Sequence, residues 1–231
     1  MKRLDTILSL IHSSVGVADV GTDHGIVPVT LALNGYSGNL YATDVHAPPL
    51  EAARRQAEKN GVAAKIRFLL TDGLDGIDPS QIDSIVIAGL GGDVICSIVD
   101  RAEWTMDSAY ELLLQPMTKA EILRFWLCNN GYEIRKEHLV EENGRLFRIL
   151  SVRFSGQNTP MTDGELYLGK PELMQSRNLF GKLLQQEKKR MEKKVNGLLV
   201  SEKNEEAAFF RQILDDFTGI EEKWEPWKGK C

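Results

Sequence analysis

Over the first 150 residues, short runs of β-branched and aliphatic residues alternate with stretches whose apolar positions recur every three or four residues. That alternation is how a parallel sheet covered by helices is written in a sequence. Five strands are expected, over Val15–Val20, Asn39–Asp44, Ile66–Leu70, Ser84–Ala88 and Leu112–Gln115. Between them, Pro48–Asn60 opens on two prolines, sets Leu50, Ala53 and Ala57 on one face and stops at Gly61, which predicts a helix. Lys119–Asn129 is expected to do the same, with Ile122, Phe125 and Trp126 facing inward and Gly131 as the stop. Two extended runs then follow, Tyr132–Val140 and Arg145–Phe154, and the Asn143-Gly144 pair between them predicts a hairpin.

Ser155–Gly169 concentrates Gly, Ser, Thr and Pro and reads as a linker. Beyond it the apolar period is helical: Phe180, Leu184, Met191, Val195 and Leu198 form one stripe, and Ala207, Phe210, Leu214 and Phe217 a second after the polar break at Ser201–Asn204. Two antiparallel helices in a short coiled-coil arm satisfy both stripes, although Gly181 and Gly197 each weaken a helix interior by about 1 kcal/mol against alanine. The expected organisation is a sheet domain over residues 1–155, a linker over 156–169 and a helical unit over 170–231.

A chain of 231 residues accommodates one α/β domain and an appendage, and 42% hydrophobic with 26% charged residues is ordinary for a globular protein. There is no apolar run of about 18 residues to span a membrane, and the start of the chain has no leader pattern, so a cytoplasmic location is expected; a monomer is the favoured state. Cys96, Cys128 and Cys231 are scattered and never form Cys-x-x-Cys, which suggests neither a disulfide framework nor a metal site. The net charge of −5 argues mildly against a nucleic-acid partner. Its distribution changes the picture, because residues 1–150 hold 14 Lys and Arg against 20 Asp and Glu while residues 170–194 hold 8 against 3.

The segment Asp19-Val20-Gly21-Thr22-Asp23-His24-Gly25 sits between the first strand and a helix, where glycine admits a ligand to the main chain. It is not Gly-x-Gly-x-x-Gly, which counts against a dinucleotide. Asp44 ends the second strand, suited to the two hydroxyls of a ribose, and Asp72 with Gly73 follows the third, suited to an adenine amino group. With Asp19 suited to an ammonium group, acids at successive strand ends repel a phosphate and fit S-adenosyl-L-methionine. Helix capping competes as the role of Asp23, loop capping as that of Asp44 and Asp72, a structural role as that of His24, and tight turning as that of Gly73 and of the glycines in Ala88-Gly89-Leu90-Gly91-Gly92-Asp93. This last segment lacks the Asn/Asp-Pro-Pro-aromatic tetrapeptide that serves methylation of exocyclic amines. A ring nitrogen needs only orientation, with a carboxylate near the charge it acquires, and Asp23 is the candidate.

Taken as a set, Asp19-Val-Gly-Thr-Asp-His-Gly with Pro28, Ile87-Ala-Gly-Leu-Gly-Gly, Leu114-Gln-Pro and Trp126-Leu-x-x-Asn-Gly-Tyr132 resemble the TrmK family of bacterial tRNA methyltransferases, which make N1-methyladenosine at position 22. The resemblance implies a Rossmann-like class I methyltransferase sheet, five parallel strands closed by an antiparallel hairpin, followed by a coiled-coil domain, with tRNA contacted by both. It implies catalysis at Asp23 and a cofactor site at Asp19, Gly21, His24, Asp44, Val45, Asp72, Gly73, Ala88 and Gly89. Gly91 and Gly92 would lie beside the substrate, and Lys188, Lys189, Arg190, Lys193 and Lys194 would hold tRNA phosphates. Met117 departs from the usual Asn after Gln-Pro, Phe147 from a common tyrosine, and Ala47-Pro48-Pro49-Leu50 from a more usual Gly-Pro.

Overall fold

A computed structural model describes residues 2–224. Its centre is a seven-stranded sheet built from β1 (Gly16–Val20), β2 (Asn39–Asp44), β3 (Ile66–Leu70), β4 (Ser84–Gly91), β5 (Glu111–Thr118), β6 (Tyr132–Glu142) and β7 (Arg145–Phe154). The order is β3-β2-β1-β4-β5-β7-β6, with β1 to β5 parallel and β7 antiparallel to both of its neighbours. The expected α/β sheet with a closing hairpin is therefore present. Asn143 and Gly144 both adopt positive φ (51° and 74°) between the paired Glu142 and Arg145, as a two-residue turn matched to strand twist demands.

Helices α1 (Lys2–Leu10), α2 (Ile26–Leu33) and α3 (Ala47–Lys59) cover one face through Ile7, Val27, Val29, Leu50 and Ala57. Helices α4 (Gly92–Arg101) and α5 (Ala120–Asn129) cover the other through Ile95, Val99, Leu123 and Leu127. β1 is buried along its whole length because layers lie on both sides of it.

The inward face of α5 differs from the expectation. Ile122 and Phe125 are exposed, while Trp126 packs against the core as expected, stacked on Tyr132, and Ala120, Leu123, Arg124, Leu127 and Cys128 face the protein. The rotation has a cause: Arg124 is fully buried and its guanidinium meets Glu137 of β6 at 2.9 and 2.6 Å while donating to the carbonyl of Leu166 at 2.7 Å. A charged position is the one that docks.

The expected linker also contains structure. Thr162 and Glu165 form a reciprocal capping box that starts α6 (Asp163–Leu168), and Leu168 is fully buried. Beyond it, α7 (Arg177–Val200) and α8 (Asn204–Trp224) form the expected antiparallel pair, closed over Phe180, Leu184, Met191, Ile213 and Phe217. Gly181 has a packing reason, since a Cβ there would come within 2.9 Å of the Trp224 ring. The arm is continuous with the sheet domain, because Leu139 of β6 belongs to its apolar core. Cys231 and the end of the expected 170–231 unit lie outside the described residues.

Candidate active site

β1 pairs with β2 on one side and β4 on the other, so the chain direction across the sheet reverses there. Ligands of open α/β sheets bind at the carboxyl ends of the strands beside such a switch point. A cleft of about 290 Å³ opens at that place, lined by Asp19, Gly21, Asp23, Ile26, Val27, Ala88, Gly89, Leu90 and Met117, with Arg3 and Leu4 of α1 along its edge.

The fold positions each group by backbone means. The N–H groups of Gly21 and Thr22 both donate to the Thr43 carbonyl at 2.9 Å, which ties the loop after β1 to β2. Gly21 (φ +70°) and Gly89 (φ +87°) take left-handed conformations that favour glycine, and Gly89 faces open space. Asp19 is buried, and the Thr22 hydroxyl donates to its Oδ2 at 2.6 Å. Burial pushes its carboxyl up to about 6 from 3.8; the Thr22 hydrogen bond opposes this, and the nearby Asp23 and Asp44 add to it. A buried acid in that state is relieved by a cation. This is the chemistry an ammonium or sulfonium group offers, so the residues present fit the expected cofactor.

Asp23 stands 86% exposed beside His24, whose Nε2 is 3.4 Å from Asp23 Oδ1. It does not cap the following helix: Gly25 occupies that position, with no side-chain hydrogen bond to the helix. Its carboxylate is left for the cleft it lines.

Asp44, Val45, Asp72 and Gly73 sit at the neighbouring strand ends but do not line the same cavity. Asp44 does serve its turn, accepting from the His46 N–H at 2.7 Å, while remaining partly exposed. Asp72 Oδ1 pairs with Arg101 at 2.8 Å; both side chains are largely solvated, so the pair is weak and readily exchanged. Gly73 has φ +65° and packs against Ile98, and the Thr43 hydroxyl donates to its carbonyl.

The two further glycines do not join the cleft. A Cβ on Gly92 would lie 2.2 Å from the Lys119 carbonyl oxygen, so this glycine lets the start of α4 press against the chain leaving β5. Gly91 caps α4 beside the Asp93–Lys119 ion pair of 2.5 Å.

On the arm, the basic residues are not uniformly free. Lys188 pairs with Glu221 at 2.5 Å, Arg190 with Glu187 at 3.1 Å, and Lys194 lies 3.7 Å from the centre of the Phe210 ring. Lys189 and Lys193 are exposed. No group of three or more His, Cys, Asp or Glu able to hold a metal ion occurs among the described residues, nor any helix long and apolar enough to cross a membrane.

Arg3 and Leu4 are parts of the cleft that the strand-end motifs do not include. The signal for α1 was there, since Leu4, Ile7 and Leu8 recur at helical spacing.

Comparison with known proteins agrees with this geometry. A methyltransferase-domain family model matches residues 1–150. A tRNA (adenine(22)-N(1))-methyltransferase of Bacillus subtilis is 32% identical over 163 residues, spanning 71% of this chain and 68% of its own. The crystal structure of the Bacillus subtilis m1A22 tRNA methyltransferase TrmK superposes with a TM-score of 0.77 at 26% identity, covering 97% of each chain. A Streptococcus pneumoniae protein described as a candidate tRNA (m1A22) methyltransferase, solved with S-adenosyl-L-methionine, does so at 0.76 and 27% identity, covering 93% of this chain and 99% of that one.

Proposed function

Since the chain belongs to the TrmK family of tRNA (adenine(22)-N(1))-methyltransferases, we propose that it methylates N1 of adenine 22 in tRNA, using S-adenosyl-L-methionine, in the cytoplasm. The observation that carries this reading is the buried Asp19 carboxylate set at the β1/β4 crevice beside the exposed Asp23. When bound, the cofactor supplies an electrophilic methyl group. Asp19 would hold the positive amino-acid end, Asp44 would accept from ribose hydroxyls and Asp72, whose pairing with Arg101 is solvated and weak, from the adenine amino group. Gly21 and Gly89 would let the main chain approach and Ala88 lines the cleft, while His24, Val45 and Gly73 stand on the adjoining strand-end loops over which the nucleoside would extend.

The target nitrogen carries an in-plane lone pair and gains a positive charge without losing a proton. The protein therefore needs no general base at that step. Asp23 stabilises the growing charge as an oriented carboxylate. Orientation supplies the rest, with the base turned out of its stack into the cleft. Lys188, Lys189, Arg190, Lys193 and Lys194 hold tRNA phosphates, which positions the RNA without reading its sequence. Because Leu139 of β6 is buried against the arm, deleting residues 160–231 would uncover core, and charge reversal is the cleaner probe. Lys189→Glu with Lys193→Glu is expected to weaken tRNA binding about tenfold near 0.15 M salt and to flatten its salt dependence. Cofactor affinity should be unchanged in calorimetry.

The raised carboxyl of Asp19 gives a second expected result. Its folded-state pKa lies above the unfolded value, so its contribution to stability is present below about pH 4 and lost as pH rises through about 6. A cation bound beside it lowers the pKa again, so cofactor binding releases a proton near pH 6. Affinity should be about tenfold tighter at pH 7 than at pH 5, measured by calorimetry in buffers of different ionisation enthalpy.

The reaction itself is tested with unmodified tRNA and methyl-labelled cofactor, followed by mapping of the product nucleoside. N1-methyladenosine at position 22 supports the reading. Methyl transfer to protein or a free amino acid, or cofactor and tRNA binding without turnover, overturns it.

A further inference from the structure

One cation enters a cleft otherwise lined by acids and apolar groups. Arg3 projects from α1 into the cavity that Asp19 and Asp23 line. Its Nη1 donates to Gln115 Oε1 at 2.9 Å and approaches the Met117 sulfur at 3.3 Å, and its guanidinium carbon lies 5.2 Å from the centre of the Phe147 ring. Gln115 is fully buried, and its amide nitrogen donates to the Pro116 carbonyl at 3.0 Å, which leaves the amide oxygen for Arg3. The guanidinium is thus braced on one edge and backed on one face. Its Nε is enclosed without a hydrogen-bond partner among the described residues.

We propose that Arg3 binds the target nucleobase directly, its guanidinium offering a planar surface against the ring and a donor to N3 or N7 of the adenine. This rests on the tRNA adenine-N1 reading above. Arginine planes are a recurrent resting surface for unstacked bases. A neutral base edge, rather than a phosphate, is the partner because Asp19 and Asp23 share the cleft and would repel an anion. N3 and N7 are the ring nitrogens other than N1 with free lone pairs in the nucleoside, so the cation stays off the nitrogen that becomes positive. Gln115 is then a positioning residue, acting through Arg3.

The experiment compares Arg3→Lys, Arg3→Gln and Gln115→Met with the parent protein, using an unmodified tRNA transcript. It measures kcat, KM for tRNA, the salt slope of tRNA binding, cofactor Kd by calorimetry and the thermal midpoint. Expected is a fall in kcat of about 30-fold or more for both Arg3 variants and about tenfold for Gln115→Met. Cofactor Kd should hold within about twofold, and the salt slope should not change. Lysine is not expected to rescue, since it has charge without a planar fork. Near-parental kcat in Arg3→Lys, or a loss confined to tRNA affinity with a shallower salt slope, overturns the proposal in favour of a phosphate contact. An equal loss of kcat and cofactor affinity in all three assigns Arg3 to scaffolding and overturns it too. The parent protein's own product decides the underlying reading separately: if it makes N1-methyladenosine while the Arg3 variants match it, only the Arg3 assignment fails.

Discussion

Asp23→Ala will leave cofactor affinity within about threefold and lower methyl transfer to tRNA by about a hundredfold or more, as removal of one oriented electrostatic partner of a transition state commonly does. The expectation depends on the side chain having no structural work to lose. Gly25 caps α2 without side-chain help, and Asp23 is 86% exposed, so its removal leaves the loop held by the Gly21 and Thr22 hydrogen bonds to Thr43. Single-turnover kinetics and calorimetry on the same preparation separate the two quantities. Turnover near the parental rate would remove Asp23 from the chemistry. Asp23→Asn is the informative companion, since it keeps the size and loses the charge, and the charge argument predicts nearly the same loss.

Glu137→Ala should be the most damaging single change to stability, costing about 3–5 kcal/mol. Arg124 and Glu137 are both fully enclosed and make two short contacts, so truncating the acid strands a guanidinium in the interior. The cost is that of the charge left behind. Replacing both partners by apolar residues, as in Arg124→Met with Glu137→Leu, should recover much of it. Denaturant unfolding of the two single variants and the double variant measures the coupling. Equal and additive losses would show that the contact is incidental.

The same pair explains where pattern reading stopped. Five strands and the hairpin were legible because alternation of β-branched runs and turn residues encodes them locally, and Asn143-Gly144 fixes the register between β6 and β7. The face of α5 was not, because Arg124 looks like a solvent position until Glu137, thirteen residues away, is brought opposite. The expected linker hid α6 for a similar reason: a six-residue helix has too few apolar positions for a period, and only its Thr162/Glu165 capping box announces it. At the site, the acids at and after the end of β1 stand out in the sequence, and the structure brings Asp19 and Asp23, but not Asp44 or Asp72, to the lining of the cleft. Arg3 does not stand out, since nothing local connects residue 3 with residues 115, 117 and 147. For Gly91 and Gly92 the residues alone left a tight turn and a ligand contact both open, because a glycine needed for backbone contact and one needed for a ligand are spelled alike.

The order of strands carries a consequence for biosynthesis. β7, the last strand of the sheet to leave the ribosome, belongs between β5 and β6. Until residue 154 has cleared the exit tunnel, the edge of β5 that faces β7 at Leu112, Leu113 and Leu114 has no partner, although these three side chains are among the most deeply buried in the finished molecule. Nascent chains that stall before Arg145 should therefore be sticky intermediates and early clients of chaperones, while those released after the hairpin docks should not.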